Sequence, residues 1–193
     1  MTRVLFLHGL EGSPTGHKPT WLRSAGYDVT APALDTRRLI AWLSALAPEA
    51  TRDDGALVVP RAVVHDAVDA ACAAVDAVAP DVVVGSSFGG GVAHLLWHEG
   101  HWRGPTVLLA PAGKKLFGLR TLSADGRCGP VAILHGRSDD VVPVDDSVAL
   151  ARDAGGDVTL QLVDDDHRLV ASVDAGLMGA LVEHVVRRAV RRG

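Results

Sequence analysis

Cysteine is nearly absent: Cys72 and Cys128 are the only two in 193 residues, too few for a disulfide framework. No Cys-x-x-Cys pair occurs, which excludes the metal sites built on that spacing. Long apolar runs are missing too, and nothing approaches the roughly 20 consecutive apolar residues of a transmembrane helix. The first apolar run, residues 4–7, stops at His8-Gly9 and gives no targeting peptide. Surplus positive charge is also lacking. A formal net charge of −4 offers nucleic acid no general attraction. No repeat, low-complexity segment or interdomain linker interrupts the chain. What remains is a composition 48% hydrophobic and 22% charged, that of a soluble globular protein. The expectation is a cytosolic protein with no membrane or nucleic-acid partner, a monomer or homodimer. Residues 1–193 read as a single domain, able to bury roughly 70% of the unfolded surface.

What is present is a series of short apolar runs, each followed by a polar or glycine-rich loop. Residues 3–7 (RVLFL) have the continuous apolar character of a strand buried on both faces of a parallel sheet. The loop HGLEGSPTG follows, and then a helix over HKPTWLRSAG closed by Gly26. YDVTAPAL reads as a second strand ending at Asp35, and residues 36–48 and 61–79 carry helical spacing. In the latter, Val64, Val68, Ala71, Cys72, Val75 and Val78 share a face, while Asp66, Asp69 and Asp76 share a solvated one. Further strands are expected at 82–84, in PTVLLAP, in PVAILHG and in VTLQLVDDD. The last alternates Val158, Leu160 and Leu162 with Thr159 and Gln161, as a partly wet edge strand would. SVALARDAGG reads as a helix stopped by glycine. The closing helix carries Met178, Leu181, Val182, Val185 and Ala189 as its core stripe. Arg187, Arg188, Arg191 and Arg192 favour its negative C-terminal end. Six strands alternating with helices predict an α/β chain with a mostly parallel sheet and helices on both faces. Such sheets carry their chemistry at the carboxyl ends of the strands.

Residues 81–91, DVVVGSSFGGG, stand at one of those ends. Strand, tight turn and helix meet there with G-x-S-x-G at the turn, a spacing that lifts a serine hydroxyl clear of the sheet. Ser87 has glycine at both −2 and +2, whereas Ser86 would have Val84 and Phe88, so Ser87 is the expected nucleophile. A Cβ at Gly85 or Gly89 is expected to collide where strand and helix cross. The other reading is a glycine-rich turn that binds phosphate at a helix N-terminus. A serine hydroxyl needs a base, and the base needs an orienting acid. HGRSDDVVP follows the fifth strand and DDDHRL the sixth, so Asp139 and His167 are the expected acid and base. Asp140 is the rival acid, and Asp164, Asp165 and Asp166 are read as loop acids or a cap. Chain order is then Ser, Asp, His, unlike the orders of the chymotrypsin and subtilisin types. Two N–H donors should face the developing oxyanion: Phe88, next to the serine, and Leu10, after the first strand.

LHGLEGSP, GSSFGG, LHGRSDDVVP and DDDHRL together resemble the α/β-hydrolase superfamily, over about residues 3 to 185. The narrower likeness is to small, nearly lidless bacterial esterases of the YqiA-like group. The resemblance implies a three-layer sandwich with a minimal lid, Ser87, Asp139 and His167 as the triad, and Leu10 and Phe88 as oxyanion donors. It departs from the larger members in lacking their first two strands and a long lid. Within the connection 112–129, Leu116, Phe117 and Leu119 are the candidates to cover an acyl pocket. Lys114 and Lys115 beside them are candidates to steer an anionic leaving group such as the phosphates of coenzyme A.

His94, His98 and His101 lie near one another, but no carboxylate pattern completes a metal set, and no metal is expected. His8 and His135 precede glycines at strand ends and are read as braces for the site loops. The functional expectation is a serine hydrolase that cleaves small or medium carboxylic esters through an acyl-enzyme and needs no cofactor. The alternatives are an acyl-CoA or other thioester hydrolase with the same triad, and a silent binding module on this scaffold.

Overall fold

The computed structural model describes residues 1–46, 55–122, 129–154 and 158–191. Six strands form one sheet: β1 (Arg3–Leu7), β2 (Asp28–Thr30), β3 (Val82–Ser86), β4 (Thr106–Leu109), β5 (Val131–Gly136) and β6 (Val158–Val163). Every pairing is parallel, and the order is β2-β1-β3-β4-β5-β6. Because strands pair in parallel, each must be followed by a crossover, and helices supply most of them. These are α1 (His17–Ser24), α2 (Arg37–Ser44), α3 (Arg61–Val78), α4 (Phe88–Glu99), α5 (Gly113–Phe117), α6 (Val144–Asp153), α7 (Val170–Asp174) and α8 (Leu177–Val190).

Side chains alternate across a strand, and the four central strands divide accordingly between two buried layers. Val4, Phe6, Val82, Val84, Val107, Leu109, Ala132 and Leu134 face Leu22 of α1, Val173 of α7 and the Met178, Leu181, Val182 and Val185 stripe of α8. Leu5, Leu7, Val83, Leu108, Val131 and Ile133 face the other layer, where α2, α3, α4, α5 and α6 contribute Leu39, Val68, Leu96, Leu116 and Leu150. The result is a three-layer α/β sandwich, the architecture that the family resemblance implies. Among the described residues no helix is long and apolar enough to cross a membrane.

The structure departs from the sequence reading at the sheet's two edges. YDVTAPAL makes only three paired residues, Asp28–Thr30, because β2 has β1 on one side alone and Pro32 has no N–H to give a ladder. β6 is an edge strand as expected, yet all six of its residues are half-buried with no wet and dry alternation. α2 ends at Ser44 within the predicted 36–48. On α3 the predicted stripe is buried at Val64, Val68, Ala71 and Val75, with Cys72 and Val78 half-covered. Residues 47–48 of that predicted α2 span, Arg192, Cys128 with the rest of 123–128, and the Gly155-Gly156 helix stop lie outside the described residues.

One consequence of the strand order places the site. From β1 the chain moves to β2 on one side and then to β3 on the other, so the connections diverge between β1 and β3. A crevice opens at such a switch point, outside the carboxyl ends of the two strands. His8-Gly9-Leu10 leaves one of those ends and Ser87 leaves the other.

Candidate active site

β3 ends at Ser86 and α4 begins at Phe88, so a single residue reverses the chain. Ser87 does this with φ 53° and ψ −114°, a combination that L side chains rarely adopt. Its surroundings hold it there. The Ser87 N–H donates to the Leu109 carbonyl at 2.9 Å, and its own carbonyl accepts from Gly91 at 2.9 Å and Ala112 at 3.1 Å. A Cβ on Gly85 would stand 2.6 Å from the Gly89 carbonyl oxygen, and one on Gly89 would overlap the Leu7 carbonyl. The two glycines therefore let β3, α4 and the end of β1 meet backbone to backbone, which is why their spacing about Ser87 is strict.

Asp139 follows β5 and His167 follows β6, and the two loops are tied to each other before any side chain is considered. Arg137 N–H donates to Val163 O at 2.8 Å and Ser138 N–H to Asp165 O at 3.1 Å. A Cβ on Gly136 would overlap the Asp165 carbonyl, so this glycine admits the close crossing. Asp165 fastens the far side of the loop, accepting from the Ser172 N–H and hydroxyl of α7 at 2.8 Å each. It is a loop acid of the kind its sequence position suggests.

The three expected residues come together. His167 Nε2 lies 2.9 Å from Ser87 Oγ, and its Nδ1 lies 2.7 Å from Asp139 Oδ2. Val141 and Val142 N–H both donate to Asp139 Oδ1 at 2.8 Å. The Asp139 side chain has 0% of its surface exposed, that of His167 17%. Burial pushes the Asp139 carboxyl up, but the Val142 N–H, the His167 ring and the Val141 N–H together outweigh it and hold the carboxyl below its ordinary value. Because Asp139 is a carboxylate, His167 Nδ1 is the donor in their bond, and Nε2 faces the serine hydroxyl with its lone pair. Asp140 is exposed beside the cleft, and no hydrogen bond joins it to His167.

The loop after β1 supplies the opposite wall. Gly9 approaches so closely that a Cβ there would sit 3.3 Å from Ser87 Cβ. Leu34 N–H donates to His8 Nε2 at 3.0 Å, so the ring proton is on Nδ1, which donates to Gly9 O at 2.8 Å. Gly12 N–H donates to the same oxygen at 3.0 Å. The Gly9 carbonyl and the Leu10 N–H belong to one planar trans peptide and point in opposite directions. Anchoring the carbonyl on His8 and Gly12 therefore sets the direction of the Leu10 N–H. Phe88 N–H lies in the first turn of α4, where no intrahelical acceptor is available.

A cleft of about 700 Å³ opens onto Ser87 and His167, lined also by Leu10, Lys18, Val141 and Val170. That volume suits a small-molecule ligand. Three residues expected over the pocket lie elsewhere. Leu116 is 6% exposed in the core beneath α5, Phe117 packs against Gly91 of α4, and Leu119 lines a separate cavity of about 130 Å³ with His94 and Asp146. Backbone bonds from Leu57 and Val59 to the Lys115 and Leu116 carbonyls, 2.7 Å each, clamp α5 to this layer. Apolar residues near a site serve core or pocket alike in sequence, and here the core takes Leu116 and Phe117. The lysine expectation is corrected with them: Lys114 pairs with Asp146 in that other cavity, and the Lys115 ammonium bonds the Val141 carbonyl. The lysine that lines the cleft is Lys18, half-buried at the start of α1, where burial lowers its pKa against the pull of Asp165 and Asp166. The only signal for it in sequence was its place at the end of the loop after β1.

No protein-family model and no curated protein matches the chain. Solved structures do. An alpha/beta-superfamily protein of Xanthomonas campestris pv. campestris, described as a hydrolase, is similar at 26% identity and TM-score 0.68, covering 95% of this chain and 96% of its own. The esterase domain of a Rhodothermus marinus protein is similar at 16% identity and TM-score 0.62, over 97% of this chain and 87% of its own. Est1E of Butyrivibrio proteoclasticus, solved with ferulic acid, is similar at 16% identity and TM-score 0.67, over 97% and 89%. The chain has the α/β-hydrolase fold, and its structural neighbours are hydrolases and esterases.

Proposed function

We propose that this protein is a serine hydrolase that cleaves small or medium carboxylic esters through an acyl-enzyme. The observation that carries the reading is the unbroken line Asp139–His167–Ser87, with links of 2.7 and 2.9 Å, at a strained elbow opening into the cleft. His167 Nε2 takes the proton as Ser87 Oγ attacks the ester carbonyl carbon, and Asp139 stabilises the imidazolium. Leu10 and Phe88 N–H receive the negative charge that develops on the carbonyl oxygen. The Nε2 proton then passes to the leaving alkoxide as the C–O bond breaks. A water, deprotonated by the same nitrogen, attacks the acyl carbon and releases the carboxylic acid and free Ser87. No electron changes hands and no cofactor enters the balance. A thioester would react by the same steps with a thiolate leaving. With Lys114 and Lys115 bonded to Asp146 and to Val141, neither is offered as a hold for a charged thiol carrier. We place the protein in the cytosol on its sparse cysteines alone.

The test is labelling with a fluorophosphonate, which phosphonylates an activated serine. The protein should be labelled and Ser87→Ala, folded by circular dichroism, should not be. Equal labelling of both would move the nucleophile elsewhere, and no labelling of either would remove the hydrolase reading.

A further inference from the structure

His135 is the penultimate residue of β5 and is 0% exposed. It takes no part in the proton transfer from Ser87 to His167, yet it lies against the acid that orients His167. Its Nε2 lies 3.1 Å from the Val142 carbonyl oxygen and 3.0 Å from Asp139 Oδ2. Its Nδ1 lies 2.7 Å from the hydroxyl of Ser147 on α6. A lone pair on Nε2 would face two oxygens, one of them a carboxylate, so the hydrogen is on Nε2. Nδ1 then accepts from the Ser147 hydroxyl, and every polar atom of the buried ring is satisfied. The bond to Val142 matters as well, since the N–H of that residue holds Asp139 Oδ1.

We propose that His135 is a positioning residue for the acid: its Nε2–H donates to the Val142 carbonyl and lies beside Asp139 Oδ2, so that Oδ2 meets His167 Nδ1. The inference rests on the triad reading above. Oδ1 is set by two backbone donors, while Oδ2 accepts from His167 and lies 3.0 Å from the His135 ring nitrogen; the first imidazole must gain a proton during the reaction and the second stays fixed. A fixed N–H beside Oδ2 draws off part of its negative charge. Its removal leaves a more strongly anionic Asp139, which makes His167 more basic. The titratable groups facing His135 are Asp139 and, across that carboxylate, His167. From α6 it meets the Ser147 hydroxyl, while neighbouring Asp146 is turned to Lys114.

The experiment compares His135→Gln with His135→Asn on a neutral aryl ester, with active sites counted by fluorophosphonate titration. A glutamine amide nitrogen reaches the place of Nε2 and keeps a donor there. An asparagine amide ends near the place of Nδ1 and does not reach Asp139. His135→Gln should stay within about threefold of the parent kcat, while His135→Asn should lose about 10- to 100-fold, the scale of a misplaced reacting group. The acid limb of the kcat/KM profile should move to higher pH in His135→Asn alone. Equal kcat and an unmoved limb in both variants would overturn the proposal, because a ring that only fills the core affects stability and not that limb. Should the variants fail to fold, nitrogen-15 NMR of the unaltered protein decides. His135 must appear as the Nε2–H tautomer, and an Nδ1–H tautomer refutes the idea. Failure of the parent protein to label would instead strike the triad reading.

Discussion

Replacing Asp139 with Asn is the most exacting perturbation, because the acid loop dictates which way the new amide must face. Val141 and Val142 N–H both point at Oδ1, so the amide oxygen has to sit there. The NH₂ group then occupies the place of Oδ2, 2.7 Å from His167 Nδ1, and turns that nitrogen from donor into acceptor. The His167 hydrogen moves to Nε2 and points at Ser87 Oγ, and the lone pair that would take the serine proton is gone. A triad left in the wrong tautomer loses about 10⁴ in kcat, or about 5.5 kcal/mol of barrier. Turning the amide over restores the tautomer but leaves two backbone N–H groups without an acceptor, at roughly 1–3 kcal/mol each. Neither orientation escapes. The assay is kcat for a neutral aryl ester on protein whose circular dichroism matches the parent, with the exposed Asp140→Asn as the control expected to change little. An Asp139→Asn protein retaining a tenth or more of the parent rate would refute this account of the acid.

His94 is buried and its pKa is pushed down to about 4 by that burial, despite its bond to the Thr121 carbonyl. The unfolded chain takes up the proton below about 6.5 and the folded protein does not until about 4, so stability falls across that window as pH falls. The difference amounts to about 3 kcal/mol at the acid end, and His94→Gln should flatten the fall of Tm between pH 7 and 4.5. A parallel fall in parent and variant would exclude His94 as the cause. Gly89→Ala drives a Cβ into the Leu7 carbonyl and to 2.6 Å from that of His8, both backbone atoms that cannot turn aside. We expect a loss of about 3 kcal/mol, seen as a Tm lower by about 6–12 °C, and a shift under 2 °C would contradict the close crossing.

The parts of the site legible in sequence were those where chemistry and covalent spacing coincide. Gly85 and Gly89 flank Ser87 at fixed offsets because three backbones converge there, and that demand shows in any single sequence. Asp139 and His167 were legible because continuous apolar runs end just before their loops, and a parallel sheet gathers such ends at one edge. The pocket walls were not, since Lys18 at the start of α1, Val141 in the acid loop and Val170 at the start of α7 meet by an approach that no local pattern encodes. Leu116 and Phe117 illustrate the same limit from the other direction: apolarity beside a site does not tell lining from foundation. The contact of His135 with Asp139 was hidden for a different reason. The two are four residues apart, a spacing that ordinarily suggests a helical turn, yet here a strand end and a tight loop fold one onto the other.

The left-handed bend at residue 87 has an outcome that runs against the usual link between fitness of fold and fitness for purpose. Its φ of 53° is one that glycine adopts freely and that costs any other residue about 1–3 kcal/mol. By heat resistance alone, glycine would be the better occupant, and the molecule would last longer with the proposed nucleophile deleted. The hydroxyl persists there as a standing debit against durability, so a search for hardier variants that ignores turnover would discard it first.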